Sequence, residues 1–69
     1  MSINEAVERV AGKLPDYYTV ELEVSQGCAC VYWYDDEGNQ HDVELPDDTI
    51  AEQLLAALER AIQHKRDNE

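Results

Sequence analysis

Residues Tyr17 to Ser25 alternate without a break, with Tyr18, Val20, Leu22 and Val24 on one side and Thr19, Glu21, Glu23 and Ser25 on the other. A period of two over this length predicts a strand buried on one face. Gln26-Gly27 follows as a two-residue turn, and Cys28 to Tyr34 supplies the returning strand. With that turn, Ser25 stands opposite Cys28. A slip of one residue would put every apolar side chain on the wrong face, so the register follows. Ala29, Val31 and Trp33 then share the inner face with Val24, Leu22 and Val20. Cys28, Cys30, Tyr32 and Tyr34 join the glutamates outside.

The next turn is Asp35-Asp36-Glu37-Gly38-Asn39. A three-residue loop, Asp36-Glu37-Gly38, places glycine at the left-handed position that such hairpins require. A third strand, Asn39 to Leu45, then sets His41, Val43 and Leu45 against Trp33, Val31 and Ala29. Gln40, Asp42 and Glu44 face outward beside Tyr34, Tyr32 and Cys30.

Helices are expected at both ends. Ser2 with Glu5 forms a capping box, and Ile3, Val7, Val10 and Leu14 make one apolar stripe as far as Lys13. Gly12 and Pro15 mark its stop. Pro46-Asp47-Asp48-Thr49 ends the third strand. Thr49 with Glu52 is a second capping box, with Asp48 as a rival N-cap. Ile50, Leu54, Ala57, Leu58, Ala61 and Ile62 form a broad apolar face. His64, Lys65 and Arg66 suit the negative end of that helix dipole.

These elements predict an α+β fold in the order α-β-β-β-α, a three-stranded antiparallel sheet with two helices on its one apolar face. Residues 1–69 are expected to form a single domain with a radius of gyration of roughly 11 Å. A chain this short buries only about 60% of its unfolded surface, which leaves little room for a deep catalytic cleft. Its hydrophobic fraction of 43% and regular spacing separate it from disordered acidic chains.

The charge is distributed in one sign. Between Leu14 and Glu59 there are twelve carboxylates (Asp16, Glu21, Glu23, Asp35, Asp36, Glu37, Asp42, Glu44, Asp47, Asp48, Glu52 and Glu59) and no Lys or Arg. The net charge of −11 corresponds to about 19 Å of duplex DNA at one charge per ≈ 1.7 Å. Such a chain repels nucleic acids and anionic membranes, which need a basic patch; its natural partner is a basic surface. Glu21 with Glu23 and Asp42 with Glu44, each pair about 6.6 Å apart along a strand, flank Tyr32 and Tyr34. The turn acids Asp35, Asp36, Glu37, Asp47 and Asp48 extend this field. Tyrosine and arginine favour interface hot spots, so an arginine on a partner could stack on Tyr32 or Tyr34 and pair with a neighbouring carboxylate. An acidic face can also serve solubility alone, although solubilising surfaces ordinarily mix signs.

Smaller signals point away from chemistry. Cys28-Ala29-Cys30 puts two thiols on one strand face, too far apart for an unstrained disulfide. Two cysteines with two distant histidines, His41 at the core rim by Trp33 and His64 on the far helix, lack a zinc pattern. Asp35, Glu37 and Asn39 imitate half a calcium loop, but Gln40 and Pro46 stand where that pattern needs Gly and Glu. No metal, cofactor or enzymatic activity is expected. The absence of a charged and apolar leader, of an apolar run near ~20 residues and of a disulfide framework leads to the expectation of a cytoplasmic protein. A monomer or weak dimer is expected, because acids on both edge strands oppose self-pairing.

In size, net charge, α-β-β-β-α order and an acidic sheet face with Asp-rich loops, the chain resembles small acidic phage-encoded anti-CRISPR proteins that imitate DNA. That resemblance implies a non-enzymatic inhibitor in the bacterial host cytoplasm. It would occupy the basic site where a CRISPR surveillance complex grips target DNA, with Glu21, Glu23, Asp42, Glu44 and the turn acids standing in for phosphates. An antitoxin or immunity protein that masks a basic toxin would use the same physics. A small accessory protein without a mimicry role is the third reading.

Overall fold

The computed structural model describes residues 2–43 and 49–69. The elements follow the expected order: α1 (Ile3–Lys13), β1 (Thr19–Ser25), β2 (Cys28–Tyr34), β3 (Gln40–Asp42) and α2 (Ile50–Asp67). Both capping boxes form in part. Ser2 Oγ accepts the Glu5 amide at 3.1 Å, and Thr49 Oγ1 accepts the Glu52 amide at 3.2 Å, so each helix start gains a partner for an otherwise orphaned N–H. The rival cap, Asp48, lies outside the described residues, as do Glu44, Leu45, Pro46 and Asp47.

Helix α1 ends at Leu14, which turns to extended backbone at φ −65° and ψ 131°; Pro15 disfavours helical geometry in the residue before it. The Tyr18 amide then bonds the Pro15 carbonyl at 3.2 Å. Tyr17, at the third position of this turn, takes φ 71°, a conformation uncommon for a bulky residue. The strand therefore begins at Thr19 rather than Tyr17. Tyr17 is 87% exposed while Tyr18 is buried.

The sheet is antiparallel in the order β1-β2-β3. Its register agrees with the turn-based prediction: Ser25 faces Cys28, Val20 faces Trp33, Trp33 faces His41 and Tyr32 faces Asp42. Gly38 takes φ 86°, as the three-residue loop demands. The described part of the third strand is Gln40–Asp42, starting one residue later than expected, and the Val43 amide reaches the Val31 carbonyl at 3.4 Å; the remainder of the expected strand, Glu44 and Leu45, lies outside the described residues.

The core gathers Val31 and Trp33 from the sheet with Tyr18, Val43, Val10 and an alanine-rich set, Ala6, Ala51, Ala57 and Ala61, beside Leu54 and Leu58. Helix α2 lies over β2 and β1, and α1 packs along α2. Small side chains at that helix contact let the backbones approach, so Ala6 becomes fully buried. Ile3 and Val7 stay 48% exposed, against the expectation that both would lie on the buried stripe of α1. The hairpin tip departs from expectation too. Leu22 is 40% and Val24 73% exposed, and Ala29 is exposed. The strands outrun the helix that covers them, so only the half of the inner face around Val31 and Trp33 is sealed. The radius of gyration is 11.6 Å, in line with the expected value.

Candidate functional site

Two places in this fold concentrate polar chemistry: the open face of the sheet and a polar cluster at the rim of the core.

The register puts Glu21, Tyr32 and Asp42 in one row across the three strands, with Thr19, Tyr34 and Gln40 in the next such row. Neighbouring strands are spaced ≈ 4.7–4.9 Å, so two acids about 10 Å apart flank one tyrosine. Glu21, Glu23 and Asp42 are exposed; Tyr32 and Tyr34 are half-buried. Hydrogen bonds to Cys30 and then Glu23, with burial added, push the Tyr32 hydroxyl above its ordinary value. Burial, then the charge and hydrogen bond of Glu21, push Tyr34 up. Both rings therefore stay neutral donors at physiological pH. At the end of this face Tyr17, Thr19, Glu21, Tyr34, Asp36 and Gly38, with the buried Asp35 at its edge, line an open recess of about 360 Å³. All five basic residues lie on helices: Arg9 and Lys13 on α1, and Arg60, Lys65 and Arg66 on α2. Arg60 reaches only the β3 edge, where its Nη1 donates to the Asp42 carbonyl at 3.4 Å.

Of the turn acids, Asp36 and Glu37 are exposed, but Asp35 is not part of the outer field. It is 4% exposed, and its oxygens are used inside the protein. Oδ1 accepts the amides of Glu37 at 2.9 Å and Asn39 at 3.0 Å. Oδ2 accepts from Asn39 Nδ2 at 3.3 Å and lies 3.0 Å from His41 Nε2. This corrects its placement among the surface acids: an aspartate opening a hairpin closes the turn with its own side chain, and here that pulls the carboxylate inward. Glu44, Asp47 and Asp48, the remaining predicted site residues, lie outside the described residues.

Asp35 belongs instead to a cluster whose members the sequence pattern keeps apart. His64 Nε2 lies 3.7 Å from Asp35 Oδ2, and its Nδ1 is 2.7 Å from the Tyr18 hydroxyl. His41 stacks on Trp33 at 4.0 Å between ring centroids, and the His64 ring meets Trp33 edge-on at 5.5 Å. The two imidazoles are 5.6 Å apart, so His41 and His64 are not distant. A signal for this exists in the spacing: Leu54, Ala57, Ala61 and His64 continue one helical stripe, and Trp33 pairs with His41. Spacing alone does not say which end of α2 crosses the Asp35 turn. Burial, then the charges of Asp36 and Asp35, raise the Tyr18 hydroxyl above its ordinary value. Trp33 Nε1 is buried with no hydrogen-bond partner.

Cys28 and Cys30 are free thiols; Cys28 Sγ lies 3.0 Å from Ser25 Oγ at the hairpin tip. Among the described residues no helix is long and apolar enough to cross a membrane. No protein-family model, curated protein or solved structure matches the chain.

Proposed function

We propose that the open sheet face is a non-enzymatic binding surface for a basic, nucleic-acid-binding protein, which it blocks by imitating the charge of DNA. The observation that carries this reading is the acid–tyrosine–acid row Glu21, Tyr32, Asp42 on a face without a Lys or Arg among its described residues. Exposed carboxylates steer a basic partner and speed its arrival. The half-buried tyrosines supply rigid contact area with a hydroxyl that donates. The open recess edged by Tyr17, Tyr34, Glu21 and Asp36 has the chemistry for one guanidinium, stacked on a ring and paired with a carboxylate. Glu23, Asp36 and Glu37 extend the field. In keeping with the anti-CRISPR resemblance, a CRISPR surveillance complex in a bacterial cytoplasm is the partner that this reading favours.

The test joins capture with competition. Immobilised protein is exposed to bacterial lysate at low salt, retained proteins are eluted by salt, and each is assayed for nucleic-acid binding with and without the acidic protein. Mimicry requires a basic partner that loses its nucleic acid in the complex, and Glu21→Lys with Asp42→Lys must abolish that effect while circular dichroism stays unchanged. Retention indifferent to salt and to charge reversal returns the acids to a solubilising role.

A further inference from the structure

The polar cluster at the rim of the core has a geometry of its own. Asp35 Oδ2, His41 Nε2 and His64 Nε2 converge, with all three atoms within 4.8 Å of one another. The carboxylate oxygen is 3.0 Å from one imidazole nitrogen and 3.7 Å from the other. Zinc bonds of ≈ 2.0–2.2 Å to nitrogen and oxygen place tetrahedral ligands about 3.4 Å apart. The two observed separations bracket that value.

We propose that Asp35, His41 and His64 form a binding site for one divalent transition-metal ion of the zinc class, held through Oδ2 and the two Nε2 atoms. Two imidazoles and one carboxylate suit zinc, iron, cobalt or nickel rather than calcium or magnesium, which prefer oxygen-only shells.

Each ligand is already oriented by a second contact. The other oxygen of Asp35 is fixed by two backbone amides, those of Glu37 and Asn39. The His41 ring lies flat on Trp33, with 12° between the planes. His64 is held at Nδ1 by the Tyr18 hydroxyl, which leaves Nε2 to the site. Such outer contacts fix ring orientation in metal centres. The ligands also come from rigid places: a strand, a long helix and a turn closed by its own side chain. Asp35 is buried, while the side chains of His41 and His64 are 37% and 29% exposed, so an ion can enter past the imidazoles and keep a solvent position. The net charge of −11 enriches cations around the whole molecule, but only this cluster among the described residues brings three ligand atoms together.

The test uses the full chain, freed of metal by a chelator, titrated with cobalt(II) and then zinc(II). Expected are one ion per chain, visible cobalt bands without a sulfur charge-transfer band, and shifts of the ring signals of both His41 and His64 in nuclear magnetic resonance. His41→Gln and His64→Gln should each weaken binding by at least about 10-fold. Tyr18→Phe, which keeps the ring but removes the outer hydroxyl, should weaken it by about 10-fold. Cys28→Ser with Cys30→Ser should leave it unchanged. Circular dichroism of each metal-free variant establishes that it is folded. The proposal is overturned if ring signals of the two histidines do not move, if binding survives the histidine substitutions, or if it is lost with the cysteines.

Discussion

The carboxylate of Asp35 and the imidazole of His41, 3.0 Å apart, join the two ends of the second hairpin across its turn. The pair leans on Trp33, whose ring His41 covers, so the turn, the central strand and the C-terminal end of α2 meet at one buried charge.

That arrangement predicts an acid-sensitive component of stability. The hydrogen bond from His41 above all holds the Asp35 carboxyl well below the usual carboxylate range; burial acts against this, and the Asn39 and Glu37 amides reinforce it. A carboxyl with a native pKa below its unfolded value of about 3.9 adds stability that is complete above that pH and lost as pH falls below it. Urea midpoints of the native chain and Asp35→Asn should therefore differ at neutral pH and converge below about pH 4. A difference that stays constant through that range would contradict the assignment.

On the open face the sign reverses. Tyr32 ionises above its ordinary value because Cys30 and then Glu23 accept from its neutral hydroxyl. The unfolded chain loses this proton first, so the contribution is present below about pH 10 and disappears as pH rises beyond it. Tyrosinate absorbance should show tyrosines that titrate late, and Glu23→Gln should bring Tyr32 back toward the ordinary value. Tyr32→Phe should remove one late step and leave those of Tyr18 and Tyr34.

The glycines separate by backbone geometry. Gly38 sits at φ 86°, and a methyl group on its Cα would meet nothing within 4 Å, so Gly38→Ala is opposed by conformation rather than by crowding. It should cost about 1–2 kcal/mol. Gly12 lies within α1, also in open space, and Gly12→Ala should stabilise by up to about 1 kcal/mol. Denaturant unfolding of the two variants should give opposite signs.

The uneven cover of the sheet predicts an uneven tolerance. Leu54 is 4% exposed between α2 and its neighbours, whereas Val24 is 73% exposed at the hairpin tip. Leu54→Ala should cost about 2–5 kcal/mol. Val24→Thr, which keeps the β-branched shape suited to a strand, should change stability by less than about 0.5 kcal/mol. A large effect at Val24 would mean that the tip is covered in solution.

The element order, the two hairpin turns and the register are legible along the chain. Alternation from Tyr18 to Val24, the two-residue Gln26-Gly27 turn and the glycine at position 38 are local constraints, and local geometry propagates residue by residue through a hairpin. The caps at Ser2 and Thr49 are legible for the same reason, since a cap involves residues three apart. The outer row Glu21, Tyr32, Asp42 follows directly from that register. Packing in three dimensions sets how far α2 covers the sheet, which leaves Leu22 and Val24 outside the core, and how α1 rotates to bury Ala6 rather than Ile3. Packing also brings His64, 23 residues beyond His41 in the numbering, beside Asp35. Those outcomes depend on where one helix crosses one strand, a relation set by the fit of Trp33 and the alanines against each other and not by any spacing along the chain.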